Sequence, residues 1–389
     1  MVRTALKSSV IDQDLWTSSP GTSFRLAGPE DNFDLRQFEK SLPIPGWVTL
    51  SYERESDYFQ GEGVMGDDVR TYIYRSPADG SIVCKFTIAF RLAHVNGKAC
   101  KLGYLGQLRL ASSYTGKRKI MKQGFDICLN ILESESEVPF YLTSIIKTND
   151  RARRNLTARL PGKPNYTFLC DYVTLAIACT QKSIEVPFGY SIMYGTSKQM
   201  GDISEFINSH HETFQFSPKW TDGRLLSEKQ CPGLKPEDFV IAVKNDQIVG
   251  CVALWDQSDF KQHVVRGYRQ PFPLLKPLIN VFARMLGYPG LPDTGKSLKE
   301  VYLSHFALRT TDGELLKTLV QTALNAANQQ GHKVAMIGFA DGHPHLPLAR
   351  KNFRNIPYES ELYAVHWGEE NGSVSEMTNR PVCLEAAML

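Results

Sequence analysis

An α/β (mixed α+β) chain made of two tandem domains, each a mixed central sheet flanked by helices, is what three features call for. A similar order of strand, helix, hairpin, strand, helix and strand occurs twice, offset by roughly 170–200 residues. At 389 residues the chain is long for one ordinary core and comfortable for two. Its 42% hydrophobic and 22% charged content is that of a globular protein.

The first copy begins after a tail at 1–20 and occupies 21–183. Ser23 to Ala27 reads as a strand, and Pro29 starts a helix whose apolar stripe is Leu35, Phe38 and Leu42. Val69 to Arg75 and Ile82 to Leu92, joined by Pro77-Ala-Asp-Gly80, read as a hairpin. Tyr104 to Leu110 is a strand, and Lys119 to Leu132 has helical apolar spacing. Phe140 to Ile146, the basic helix Asp150 to Leu160, and the apolar strand Tyr166 to Ala178 complete the copy.

The second copy occupies 184–370, before a tail at 371–389. Tyr190 to Tyr194 is its first strand. A helix follows over Asp202 to Phe214, with Ile203, Phe206, Ile207 and His210 on one face. Phe239 to Val243 and Ile248 to Trp255 form its hairpin. Val301 to Leu308 is a strand, Gly313 to Gln330 a helix closed by Gly331, and Val334 to Phe339 and Tyr363 to Trp367 are strands. An insertion from Tyr268 to Gly295, rich in Pro, Gly and aromatics, reads as a Pro-bounded helix covering a sheet edge.

A net charge of +3 gives no reason to expect nucleic acid or an anionic membrane as a partner. The eight cysteines are scattered and several lie in apolar runs, which fits reduced, buried thiols. No signal-peptide core opens the chain, and no apolar run approaches the roughly 20 residues of a membrane helix. A cytoplasmic protein is the expectation.

The stretch from Gln107 to Lys122 carries the chemistry. A strand ends, a polar loop with Gly116 follows, and Lys117, Arg118 and Lys119 crowd the start of a helix. Cations there oppose the helix dipole unless an anion binds, and free backbone N–H groups suit a pyrophosphate. The alternative is a solvated basic turn. A second stretch, Thr148-Asn-Asp-Arg-Ala-Arg-Arg-Asn-Leu156, opens the helix after the next strand.

Here the chain resembles the GNAT superfamily of N-acyltransferases. The superfamily's phosphate loop reads about V-x-P-x-x-R-G-x-G-x-G; Leu110 to Ile120 matches its strand end and first glycine, Gly116. Asn149 and Ala152 match the later N-x-x-A-x-x-x-Y. The resemblance implies acetyl-CoA or another acyl-CoA as co-substrate and a small-molecule or peptide amine as acceptor. It implies that Leu108 and Leu110 pair with the pantetheine arm where the strands splay. Gly116, Lys117, Arg118, Lys119 and Ile120 would hold the pyrophosphate, and Asn149 would sit near the thioester. The amine must lose a proton before attack, and backbone N–H groups would stabilise the oxyanion. Tyr104 occupies about the place of the base; with an ordinary pKa of roughly 10 it suits orienting a water or acting as the acid. The sequence departs from the pattern at Thr115, at Arg118 and Ile120, which replace glycines, and at Leu156, which replaces the tyrosine. A long-chain acyltransferase and a non-catalytic relative remain as alternatives.

In the second copy Asp312 and Glu314 lie where the pyrophosphate would, which predicts an ordinary capped helix. Gly290 to Ser297 spells a P-loop, but a helical pattern precedes it and a strand follows, so a plain loop is expected. His343 and His345 lack a third ligand, and His210 reads as a core or boundary residue.

Overall fold

The computed structural model describes residues 23–389 except 117, 136, 138–139, 286–289 and 369–371. The tail read at 1–20 and Lys117 lie outside the described residues. The first half runs β1 (Arg25–Leu26), α1 (Asn32–Lys40), β2 (Val48–Glu53), β3 (Asp68–Arg75), β4 (Ile82–Val95), β5 (Lys98–Leu110), α2 (Arg118–Glu135), β6 (Tyr141–Ile146), α3 (Asp150–Leu156) and β7 (Asn165–Ala178). The second runs β8 (Ser191–Tyr194), α4 (Met200–His211), α5 (Asp222–Leu225), β9 (Phe239–Lys244), β10 (Gln247–Trp255), β11 (Gln262–Tyr268), α6 (Phe272–Met285), β12 (Glu300–Leu308), α7 (Gly313–Gln329), β13 (Val334–Ala340), α8 (Leu346–Asn352) and β14 (Asn355–His366).

Twelve strands form one sheet in the order β1-β3-β4-β5-β6-β14-β7-β13-β12-β10-β9-β8. Read from either end, the order is the same plan: first strand, hairpin, a fourth strand, a fifth. At the centre the last strands are exchanged. β14 lies between β6 and β7, and β7 lies between β14 and β13. The expectation that each domain has its own central sheet is therefore corrected to one continuous sheet. The cause is the length of β7 and β14, which pair antiparallel from Asn355↔Ile177 to His366↔Asn165 and also bond to β13 and β6. This leaves no open edge between the halves. The continuous apolar run of β7, unlike an alternating strand, suits burial in the middle of a sheet.

Helices cover both faces. α2 presents Ile120, Gly124, Cys128 and Leu132, all buried, at four-residue intervals, the spacing of one helical stripe. α7 buries Leu315, Leu316, Leu319, Ala323 and Leu324 against the second half of the sheet. In α4 the buried histidine is His211 rather than His210, which is only half-buried at the helix end. Two strands, β2 and β11, escaped the sequence reading; they pair antiparallel as a separate ribbon that ties the halves together. The segment read as a tail at 371–389 is docked instead. Val382 bridges to Gln215, and Leu384, Ala387 and Met388 are buried among core side chains. All eight cysteines are free thiols, five of them buried.

Candidate functional site

β5 is a long strand with a fault in it. Thr87 faces Gly106 and Lys85 faces Arg109, so the single residue Phe86 opposes both Gln107 and Leu108. Gln107 takes a left-handed φ of +55, costly for a side chain other than glycine's, and such strain gathers at functional sites. On its other side β5 pairs in parallel with β6, among the described residues, only at Gly103↔Tyr141 and Tyr104↔Leu142. Beyond those pairs Thr143 donates its hydroxyl to the Leu105 carbonyl (2.8 Å), and the strands part. The parting opens a cavity of about 320 Å³.

The cavity has two kinds of wall. Beneath α2 it is apolar, made by Phe24, Phe86, Gly124, Phe125 and Cys128. Towards the other sheet face it carries Tyr104, Ser144, Asn149, Tyr52, Met65 and Leu389. Tyr104 and Ser144 join hydroxyls across the gap at 2.7 Å. Burial holds the Tyr104 hydroxyl above its ordinary range, against the pull of the Ser144 hydrogen bond and the Arg91 guanidinium, 5.6 Å from its ring. The group therefore keeps its proton at neutral pH.

The bulge is held from behind. Gln107 Oε1 accepts from Lys85 Nζ (3.1 Å) and Tyr58 Oη (3.2 Å), and its amide reaches Met65 Sδ (3.2 Å). Lys85 in turn pairs with Glu39 of α1, both almost wholly buried, and donates to Tyr58 Oη at 2.8 Å. Sequence spacing alone does not bring residues 39, 58, 65, 85 and 107 together.

The residues expected from sequence divide into groups. Tyr104, Leu108, Ile120, Asn149 and Ala152 line the cavity. The Ile120 side chain is also a core residue at 3% exposure, so its part in holding a phosphate would fall to its backbone. Asn149 caps α3, its side-chain oxygen accepting from Ala152 N (3.1 Å), which leaves its amide group for other partners. Leu110 faces Cys84 and packs into the core under α2 without lining the cavity itself. Gly116 turns the chain before α2 with φ +85, a conformation natural to glycine. Arg118 and Lys119 are exposed in the first turn of α2. Leu156 lines the cavity where the resemblance has a tyrosine. The lining residues Phe24, Tyr52, Met65, Tyr166 and Leu389 had no signal in the sequence, since each comes from a distant segment.

The second half repeats the parting and then fills it. β12 and β13 pair only from Glu300↔Val334 to Tyr302↔Met336, and His305 repeats the bulge with φ +53. There the Glu385 carboxylate accepts from His305 N (2.7 Å) and Ala387 N (3.1 Å). Burial pushes the Glu385 carboxyl up to about 7. Phe306, Phe339, His343 and Leu384 close around it, leaving about 20 Å³. Asp312 caps α7, accepting from Glu314 N and Leu315 N. The P-loop string lies in coil between α6 and β12, without the strand before it or the helix after it. His343 stacks on Phe214 at 4.9 Å and His345 bonds the Thr310 carbonyl at 2.9 Å. Burial depresses both imidazoles, and among the described residues no group of three or more acidic, Cys or His side chains is placed to hold a metal.

No protein-family model matches the sequence, and no curated protein matches it closely enough to count as a relative. Solved structures resemble it to different degrees. N-myristoyltransferase from Saccharomyces cerevisiae, with bound myristoyl-CoA, superposes with a TM-score of 0.55 over 96% of this chain and 87% of its own, at 11% identity. A GCN5-related N-acetyltransferase from Sphaerobacter thermophilus covers 76% of this chain and 79% of its own (TM-score 0.49, 13% identity). One from Kribbella flavida covers 76% and 59% (TM-score 0.41, 10% identity). The superposition on N-myristoyltransferase runs through both halves and establishes a common mixed α/β fold; fold alone leaves the reaction open.

Proposed function

We propose that the chain is an acyl-CoA-dependent N-acyltransferase with one working site, in the first half. The observation that carries this reading is the open cleft between β5 and β6, bounded by a bulge on one strand and by the start of α2. A thioester's extended pantetheine arm needs such a slot between strands whose backbone is not already paired. N-myristoyltransferase, which shares this fold over nearly the whole chain, was solved with bound myristoyl-CoA. The acceptor is an amine approaching from the Tyr52, Met65 and Leu389 side, opposite the apolar wall under α2.

Tyr104 acts in this reading as the acid. The amine attacks the thioester carbonyl, the carbon–sulfur bond breaks, and the departing thiolate takes the Tyr104 proton. The tyrosine is then reprotonated from the proton the amine releases. Its raised pKa keeps it loaded at neutral pH, and Ser144 orients it. Tyr104→Phe is expected to lower kcat roughly tenfold, water replacing the acid in part, while acyl-CoA affinity stays within about twofold. Steady-state kinetics beside equilibrium binding checks this, and an unchanged kcat removes Tyr104 from the mechanism.

Isothermal titration with acetyl-CoA is expected to show one site per chain. The second cleft is filled by Glu385 and its helix is already capped by Asp312, so a pyrophosphate at that helix start would meet the carboxylates of Asp312 and Glu314. A stoichiometry of two contradicts the reading. Reversing Lys117 and Arg118 to Glu is expected to weaken binding about tenfold and flatten its salt dependence. Unchanged affinity would take the pyrophosphate away from the start of α2. The apolar wall of Phe24, Phe86, Phe125 and Cys128 favours a second reading, a longer acyl chain. Tighter binding of a long-chain acyl-CoA than of acetyl-CoA selects it; equal binding excludes it. Binding without turnover of any amine would mark a non-catalytic relative.

A further inference from the structure

α6 is inside out. Its Lys276 turns towards the protein, donating to the Pro292 carbonyl (2.6 Å) and Asp293 (2.7 Å). One turn on, Asn280 bonds Leu291 through both side-chain atoms, accepting from its N–H at 2.6 Å. The apolar residues point away. Leu274, Leu278, Val281 and Met285 form a stripe at helical spacing, with Leu275 and Phe282 beside it; Leu274 is 78% and Met285 76% exposed. Trp47, itself about half exposed, packs its ring 5.4 Å from that of Phe272 at the head of the helix. A helix that covered the sheet edge, as the sequence suggested, would face the other way.

Charge around the helix is equally one-sided. Residues 264–299 hold Arg266, Arg269, Lys276, Arg284, Lys296 and Lys299 against the single acid Asp293 in sequence; Arg266 pairs with Glu53 and Lys276 with Asp293, so the excess of positive charge rests on the others. Arg269, Lys296 and Lys299 are exposed. A second copy docked on this face about a twofold axis would set these cations against their own images. An anionic surface would not.

We propose that α6 docks the protein on an anionic lipid bilayer, lying in the interface with its apolar stripe among the acyl chains and the neighbouring cations on the headgroups. Fourteen residues make a helix of about 21 Å, too short to cross a hydrocarbon core of about 30 Å but sufficient to lie along its surface. Trp47 sits where an amphipathic ring is favoured at such a boundary. The average charge of the chain, from which no membrane partner was expected, conceals this concentration.

The test is co-sedimentation of the full chain with vesicles of roughly seven parts phosphatidylcholine to three parts phosphatidylserine, against vesicles of phosphatidylcholine alone. The expected result is binding to the anionic vesicles at low salt, a blue shift of Trp47 fluorescence that Trp47→Phe removes, and release in about 0.5 M salt. L278E/F282E is expected to lower partitioning at least tenfold, on the order of the loss of two buried apolar side chains. Both side chains are exposed, so thermal unfolding of that variant should match the parent; R269E/K296E tests the charges separately and is expected to cost about tenfold or more. Absence of binding to anionic vesicles, equal binding to neutral ones, or self-association of the free protein that L278E/F282E abolishes would each overturn the proposal.

Discussion

Lys85→Met is expected to destabilise the protein by about 3–5 kcal/mol, the largest single-residue loss anticipated for any exchange of similar size. Lys85 is wholly buried in β4 and its ammonium pairs with Glu39, itself 2% exposed. Removing the cation leaves a carboxylate in a low-dielectric interior with one oxygen, Oε2, already unbonded. The double variant E39Q/K85M removes both charges and is expected to recover most of the loss, because a buried pair is worth little in itself and breaking it is what costs. Urea unfolding of the two variants decides this. A loss below about 1 kcal/mol for Lys85→Met would show that solvent reaches the pair. The site should feel the change too. Gln107 keeps only Tyr58 Oη on its carbonyl side once Lys85 Nζ is gone, so the bulge at the mouth of the cleft loses one of the three side-chain contacts that hold it.

Gly124→Phe is expected to weaken acyl-CoA binding at least about a hundredfold, or some 2.7 kcal/mol, while the fold persists. Gly124 lies inside α2, and a Cβ built there meets only ordinary contacts, 3.5 Å from Phe86 and 3.7 Å from Phe24. A methyl is therefore tolerated. Gly124→Ala should raise stability by about 0.5–1 kcal/mol, since glycine is a poor interior helix residue. A phenyl ring would occupy the apolar part of the cavity between α2 and the sheet. The pair of variants separates filling of the cleft from damage to the helix. Full affinity in Gly124→Phe with a cooperative unfolding transition would mean that the acyl-CoA lies elsewhere.

Much of the fold was legible because it is local. The stripe Ile120, Cys128 and Leu132 marks α2 whatever lies opposite it, and the hairpins β3–β4 and β9–β10 declare themselves through alternating β-branched runs with a turn between. Asp312 reads as a cap because a carboxylate before a helix has few better uses, and it caps α7. The duplication was visible as order, and the palindromic strand sequence of the sheet follows that order. Tyr104, Leu108, Ile120, Asn149 and Ala152 line one cleft because strand ends and helix starts face each other in this topology.

What the sequence could not decide depends on neighbours brought from far away. Nothing in Asn355 to Tyr358 or in β7 announces that the two would exchange places at the centre of one sheet; that choice belongs to pairing energy between strands nearly 200 residues apart. Nor does a short run such as Leu384 to Met388 show that it will fill the second cleft, when its composition alone fits a tail. The same limit explains α6. An amphipathic pattern says that a helix has two faces, and the alternation of Leu278 and Lys276 reads identically whichever face turns outward. Burial of the Lys276 head against Asp293, and exposure of the leucines, is a property of the packed chain. Sequence alone determined most of the elements and their repetition, because these rest on spacing within a few residues; β2 and β11 are the exceptions. The tertiary structure decided which cleft stays open and which apolar face meets the outside, because both are set by contacts between segments the chain keeps far apart.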